Sequence, residues 1–135
     1  MDLLDTIHVS ASGLKTQQER LKVVAQNIAN AESTGTRPGE QPYRRKTVSF
    51  KNALDKETGV EVVKVDKVGV DRSDFARRFE PNNPLADAGG YVLYPNVNPM
   101  NEMMDMREAR RGYEANINVI EASKAMIGQT ISLLR

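Results

Sequence analysis

The histidine at position 8 is the first residue to test for chemistry, because imidazole is the commonest acid–base group at neutral pH. The chain contains one His and no Cys. A lone His without Cys or carboxylates at ligand spacing does not predict a zinc site, and it cannot support a confident Ser–His–acid set. No glycine-rich phosphate-binding loop is present. The sequence therefore predicts no catalytic residue, cofactor or metal, and it places His8 at a surface or an interface.

The carboxylates offer no better case for catalysis. Eighteen Asp and Glu residues fall on predicted helix faces or in a polar strand region. No apolar pocket is in prospect to raise the pKa of one of them, as a general acid requires. We therefore expect that the protein is not an enzyme.

A basic cluster, Arg44–Arg45–Lys46, stands between Tyr43 and Phe50. Basic residues interleaved with aromatic residues can bind nucleic acid, which would show as salt-sensitive retention on DNA. The net charge is only +1, so the whole chain exerts no strong attraction on polyanions. We favour a solvated strand face that meets an acidic neighbour, and we call these three residues the basic patch.

Composition limits the protein to one domain with a small core. Of its 135 residues, 39% are hydrophobic, 27% are charged and 5% are aromatic, with no Trp. The lack of Cys fits a reducing compartment, and equally a protein exported unfolded through a channel. Residues 1–10 (MDLLDTIHVS) lack the basic and long apolar regions of a signal peptide, and no segment predicts a transmembrane helix.

A long C-terminal helix is the strongest structural prediction. Asn98 is a plausible N-cap, and Pro99 suits a first helical turn. Residues 98–135 would form a helix of roughly 55 Å. Its apolar residues repeat every seven positions, as in a coiled coil: Met106, Tyr113, Ile120, Ile127 and Leu134, joined four residues on by Ile117 and Ile131.

A second heptad helix is predicted at the N-terminus, over residues 3 to about 31. Its repeat is Ile7, Leu14, Leu21 and Ile28, with Ala11, Gln18 and Ala25 expected at the alternate seam position four residues later. Asp2 is a candidate N-cap and Asp5 adds charge to the first turn. The two heptad helices are predicted to pair with each other and with neighbouring subunits.

The middle of the chain predicts short strands between loops. Strands are expected at residues 43–50, 59–71, 75–79 and 91–94, with breaker-rich loops at 36–42 and 80–90. The valines of residues 59–71 switch parity, which indicates a bulge or a short hairpin around Asp66–Lys67. So small a β region needs the helices or another subunit to cover it. The predicted fold is mainly α with a small β insert (α+β), divided as 1–35, 36–97 and 98–135 within one structural unit.

Residues 21–31 (LKVVAQNIANA) resemble the N-terminal motif of the flagellar axial proteins, which form rod and hook. The matching positions include Asn27, Ile28 and Asn30. Residues 41–46 (QPYRRK), 80–91 (EPNNPLADAGGY) and 113–126 (YEANINVIEASKAM) resemble the rod proteins of that family. The resemblance extends through almost the whole chain.

This resemblance implies a structural subunit of the proximal rod in the periplasm, exported without signal cleavage and assembled helically through its terminal helices. It would transmit torque and enclose the export channel. The implied partners are copies of itself, rod proteins of the FlgB, FlgF and FlgG types, a FliE-type adaptor and the flagellar type III export gate. A cytosolic coiled-coil adaptor or export chaperone is the alternative.

The resemblance and the heptads together give the candidate site residues. A possible export-gate segment comprises Phe50, Ala53 and Leu54, for which a plain strand end is the favoured interpretation, and the basic patch is a possible contact. The candidate assembly interface consists of Ile7, Leu14, Leu21, Asn27, Ile28, Asn30, Met106, Tyr113, Asn116, Ile117, Ile120, Ile127, Ile131 and Leu134.

Overall fold

The computed structural model describes residues 2–134, which form two long helices and two small antiparallel sheets. The elements in chain order are α1 (Leu3–Ala29), β1 (Lys46–Leu54), β2 (Glu61–Val70), β3 (Ala76–Phe79), β4 (Tyr91–Tyr94) and α2 (Pro99–Leu133). The predicted mainly α fold with a small β insert is confirmed.

Both helices begin where their capping residues predict. The Asp2 carboxylate accepts a hydrogen bond from the Leu3 N–H at 2.6 Å, and Asp5 accepts one from the Asp2 N–H at 2.9 Å. The Asn98 side chain accepts from the N–H groups of Met100 and Asn101, with Pro99 in the first turn. With 35 residues, α2 is about 52 Å long.

The two helices pack antiparallel, which places Asn27 beside Glu102 and Gly13 beside Asn116. The predicted seven-residue repeat is present, but the predicted second seam position is wrong. Ala11, Gln18 and Ala25 are exposed, whereas of the four residues three after a repeat position, Ser10, Val24 and Ala31 are buried and Gln17 is half-buried. On α2 the corresponding buried residues are Ala109 and Ser123, with Glu102 one heptad earlier.

The position of α2 against α1 explains this difference. Residues three and four after a repeat position lie about 100° apart around the helix, one on each side of the repeat position. Gly112 of α2 lies against Gln17, which is at the former position, so the buried arc of α1 includes that position and omits the latter.

Strands β1 and β2 form a bulged antiparallel ribbon. Ser49 pairs with Lys67 and Phe50 pairs with Val65, which leaves Asp66 as the extra residue. The predicted bulge is confirmed, and the alternative of a hairpin at that point is wrong because β2 runs through it. The ribbon lies against α1, where Val62 is 4% exposed and the Val63 N–H donates to Ser12 Oγ at 3.3 Å.

Strands β3 and β4 pair as a second hairpin, from Ala76 opposite Tyr94 to Phe79 opposite Tyr91. Arg78 fixes this hairpin to the end of α1 through two bonds to the Glu32 carboxylate, at 3.0 and 3.1 Å. Its guanidinium also lies 3.9 Å from the ring centroid of Tyr94. Both sheets are thus attached to the helical part, as so small a β region requires.

Candidate assembly interface

Asn27 lies at the junction of α1, β1 and α2 and is 1% exposed. Its Nδ2 donates to the Lys46 carbonyl at 2.9 Å and to Glu102 Oε2 at 3.2 Å. Its Oδ1 accepts from the Lys46 N–H and from the Tyr43 hydroxyl, both at 2.9 Å. Both donor and both acceptor positions of the Asn27 amide are therefore occupied, and this side chain fixes the start of β1 relative to both helices.

Glu102 is the partner of Asn27 on α2 and is also 1% exposed. Its second oxygen accepts a charge-assisted bond from Arg45 Nε. Arg45 also lies 3.7 Å from the Asp71 carboxylate, while its backbone N–H donates to Asn96 Oδ1 at 2.8 Å. Burial, and then the negative charge of Glu102, raise the pKa of the Tyr43 hydroxyl. We call Asn27, Arg45 and Glu102 the polar node.

The polar node and its surroundings engage the predicted basic patch within the chain. Arg45 belongs to the node, and the Arg44 guanidinium lies 4.2 Å from the Phe75 ring centroid while donating to the carbonyls of Asp71 and Ser73. Lys46 Nζ donates to Gln26 Oε1 at 3.2 Å. Strand β1 begins at Lys46, later than predicted, and the Tyr43 hydroxyl and the Arg45 N–H before it bond to the side chains of Asn27 and Asn96.

The predicted Asn30 and Asn116 also bond within the chain. Asn30 Nδ2 donates to the Gln26 carbonyl at 2.8 Å, and Asn30 Oδ1 accepts from Ser33 Oγ at 3.1 Å, which together close the end of α1. Asn116 donates to the Gly112 carbonyl and lies against Gly13. Asn27, Asn30 and Asn116 therefore make contacts that stabilise the fold of the subunit itself.

Large apolar side chains line one flank of the helix pair and are only half-buried. This group, which we call the apolar flank, contains Ile7, Leu14, Leu21, Ile28, Met106, Tyr113, Ile117, Ile120 and Ile127. Leu21 lies two residues, or about 200°, from the buried Val23, which borders the ribbon. The α1 part of the apolar flank therefore faces away from the ribbon.

The end of α2 is the most exposed apolar segment. Ile131 is 55% exposed, and Leu134 is 82% exposed. Asp2 and Leu3 border Ile127 and Thr130, so the last turn of α2 extends past the start of α1. Within residues 2–134, the start of α1 covers only part of Ile131, and Leu134 is almost fully exposed.

The predicted gate segment lies inside β1. Phe50, Ala53 and Leu54 pair with Val65, Val62 and Glu61 of β2. Phe50 is 37% exposed and Leu54 is 62% exposed, whereas Ala53 is partly buried. The folded subunit therefore holds this segment as a paired strand.

Hydrogen bonds to two acidic side chains, Glu80 and Asp87, stabilise the loop of residues 80–90. Glu80 accepts hydrogen bonds from Asn83 Nδ2 at 2.8 Å and from the Tyr94 hydroxyl at 3.0 Å. Both bonds lower the pKa of Glu80. The bond between Tyr94 and Glu80 also raises the pKa of Tyr94. The N–H groups of Tyr91 and Gly89 donate to Asp87 and lower its pKa.

Sequence reasoning missed Glu102, Ala109 and Ser123, which share a seven-residue spacing with Asn116. This repeat carries polar and small side chains, so a search for apolar periodicity does not detect it. Asn96, whose Oδ1 accepts from the Arg45 N–H, was also missed.

Other kinds of site find no support in the part of the chain that the structure describes. Among residues 2–134, no group of three acidic or His side chains could hold a metal ion. None of the described helices has both the length and the apolar character needed to cross a membrane.

Comparison with known proteins gives matches at both ends of the chain. Residues 7–35 match the family model "Flagella basal body rod protein", and residues 88–133 match "Flagellar basal body rod FlgEFG protein C-terminal". The chain is 54% identical to the flagellar basal-body rod protein FlgC of Agrobacterium fabrum, over 94% of this chain and 91% of the relative. It is 41% identical to FlgC of Salmonella typhimurium, over 98% of both chains. FlgC of Buchnera aphidicola (subspecies Schizaphis graminum) is 37% identical, again over 98% of both.

Proposed function

The chain belongs to the FlgC family of flagellar basal-body rod proteins, and from this premise we propose that it builds the proximal rod by helical assembly through its terminal helices. It is a structural subunit of the rod and not an enzyme. In the assembled rod it would transmit torque and help to enclose the channel through which later subunits pass.

The observation that carries this proposal is the apolar flank. A two-helix protein that functions alone would be more stable with these side chains covered, since full burial of one large apolar side chain contributes about 1.5–3 kcal/mol. Here they stay half-buried along the length of the pair, and Leu134 is 82% exposed beyond it. Neighbouring subunits that cover this flank would complete the burial, as in a wall of packed helices.

We further propose that residues 1–35, 36–97 and 98–135 work as one structural unit. The polar node supports this, because Asn27, Arg45 and Glu102 come one from each segment. Torque applied to one segment would then pass to the other two through buried contacts.

We also propose export through the type III gate in an unfolded state, without signal cleavage, into the periplasmic space. The subunit would there meet rod proteins of the FlgB, FlgF and FlgG types and a FliE-type adaptor. The absence of Cys supports export, since no disulfide can form before or during passage. If Phe50, Ala53 and Leu54 do bind the gate, separation of β1 from β2 would present them as free chain.

Substitution in the apolar flank tests assembly. Ile120→Asp and Leu21→Asp place a charge where a neighbour would bury it, so we expect loss of the variant from basal bodies and loss of motility. Asn118→Asp adds the same charge at an exposed position of α2 and serves as the matched control. Basal-body content is measured by immunoblotting, and helix content of the purified variants by circular dichroism.

Normal motility of the Ile120→Asp and Leu21→Asp cells would contradict the proposal.

The cellular location of the protein distinguishes a rod subunit from the alternative of a cytosolic adaptor or chaperone. A rod subunit co-purifies with basal bodies after detergent extraction, whereas an adaptor stays in the cytosolic fraction. Recovery only in that fraction would favour the alternative.

A further inference from the structure

An open groove runs along one side of α2. Four residues spaced three or four apart share this side of the helix: Met100, Met104, Arg107 and Arg111. Met100 is 69% exposed and Met104 is 66% exposed, and both arginines are exposed. The groove beside them has a volume of about 650 Å³ and is bordered by Arg45, Asn101, Met104, Asp105, Arg107, Glu108 and Arg111.

The groove presents a net positive charge next to adaptable apolar side chains. Its two carboxylates, Asp105 and Glu108, both pair with Arg20 of α1. Arg107 and Arg111 form no ion pair with any of residues 2–134. Methionine side chains adapt to irregular apolar partners, and guanidinium groups bind carboxylates in two-bond geometry. The groove therefore fits a helical turn that carries an exposed apolar residue between two carboxylates.

The chain itself carries such a turn at the start of α1. Asp2 and Asp5 stand three residues apart, and Leu4 between them is 57% exposed. Side chains three or four residues apart on a helix are about 5–6 Å apart, so the two carboxylates match the spacing of Arg107 and Arg111. Both carboxylates cap α1, but an ionised carboxylate has about four acceptor positions and can bind a guanidinium as well.

We propose that this groove is the docking site for the first turn of α1 from a second copy of the chain. The proposal rests on the assembly function above and adds which surfaces meet. The start of α1 and the groove lie at opposite ends of the helix pair, because the helices are antiparallel and Asp2 borders the end of α2. A contact between two different surfaces repeats from copy to copy without closing, which gives a helical array.

Disulfide cross-linking tests the contact, because the chain has no Cys of its own. The pair variant Leu4→Cys/Met104→Cys changes two exposed side chains and should leave the fold intact, as circular dichroism will show. Oxidation of isolated basal bodies should give a covalent dimer of this variant. The control Leu4→Cys/Asn118→Cys places the second Cys on α2 outside the groove and should give no dimer.

The charges are tested in the same assay. Arg107→Glu/Arg111→Glu added to the cysteine pair should lower the dimer yield by about tenfold, because like charges then face each other. If the pair variant is poorly incorporated, oxidation of the concentrated purified protein gives the second measurement, with the same dimer expected.

Three results would overturn the contact. These are basal bodies that contain the pair variant but give no dimer, equal dimer yields from the pair and the control, or a yield unaffected by the charge reversal. In each case the subunit is still found in the rod, so the assembly function itself stands. Absence of the unmodified protein from basal bodies would instead overturn that function.

Discussion

Gly13 of α1 and Asn116 of α2 face each other across the helix pair so closely that a Cβ on Gly13 would lie 2.8 Å from Asn116 Nδ2. A second pair repeats the arrangement in the opposite direction, since a Cβ on Gly112 would lie 3.1 Å from Gln17 Nε2. Each glycine thus makes room for an amide side chain of the other helix. Gln17 Oε1 is buried in this seam without a hydrogen-bond partner among the described residues.

We expect Gly13→Ala to destabilise the protein, or at best to leave it unchanged, despite the higher helix propensity of alanine. The added Cβ must displace Asn116, and this cost opposes a propensity gain of about 1 kcal/mol. Gly128→Ala is the matched control, since a Cβ there meets nothing within 4 Å, and it should stabilise by up to about 1 kcal/mol. Urea unfolding followed by circular dichroism measures both.

The double variant Gly13→Ala/Asn116→Ala removes the close contact and should recover part of any loss. Equal stabilisation by Gly13→Ala and Gly128→Ala would show that the seam is looser than the structure indicates.

Glu102→Ala should lower the free energy of unfolding by about 3–5 kcal/mol, because it leaves Arg45 and the Asn27 amide without their buried partner. Glu108→Ala removes the same charge from an ion pair whose glutamate side chain is 73% exposed, and it should cost at most about 1 kcal/mol. Urea unfolding of the two variants provides the comparison. Similar losses from both would contradict the role given to the polar node.

Acidification should open the loop of residues 80–90 before it affects the helix pair. The pKa of Glu80 is held below 4.5 chiefly by Asn83, and that of Asp87 below 3.8 chiefly by the Tyr91 N–H. A carboxyl group with a lowered folded-state pKa stabilises the fold above its unfolded pKa, and this contribution is lost as the pH falls through the folded pKa. The loop should therefore weaken progressively below about pH 4.5.

The amide NMR signals of Tyr91 and Gly89 report this transition directly. Asp87→Asn retains an acceptor oxygen without the titrating charge and should remove the part of the transition that belongs to Asp87. A loop whose signals do not change down to pH 2 would contradict the prediction.

In dilute monomer, we expect weak amide-exchange protection at the start of α1 and in the last turn of α2. Both ends lack a complete apolar cover, and short isolated helical turns are marginal in water. Residues 23–27 contact the ribbon and the polar node and should exchange most slowly within α1. Strong protection throughout residues 3–31, measured by hydrogen–deuterium exchange, would contradict this expectation.

The helices were predictable because both their caps and their repeats are local. Asp2 and Asn98 cap within a few residues of their own positions, and the apolar repeat needs only a count of seven. The bulge at Asp66 was predictable for the same reason, because the valine parity records it along one strand.

The second seam position could not be derived in this way. Apolar periodicity favours residues such as Ala11, whereas the fold buries Ser10 because α2 packs against that side of α1. The polar node was equally out of reach, since Asn27 and Glu102 are 75 residues apart in sequence and their pairing depends on the antiparallel register. Contacts of this kind are fixed by tertiary packing and leave no local trace.

Helix α1 is the element that holds the others together, and this makes the response to pulling directional. Among the described helices and strands, α2 and the β1–β2 ribbon each pack against α1 but not against each other, and the residues that flank them are joined by the Arg45–Glu102 ion pair and by the hydrogen bonds of Asn96. Force applied at the N-terminus withdraws α1 and removes the packing partner of both in a single event. Force applied at the C-terminus peels off α2 alone and leaves α1 on the ribbon, so a pull on the N-terminus must break both sets of contacts together and should meet the greater resistance.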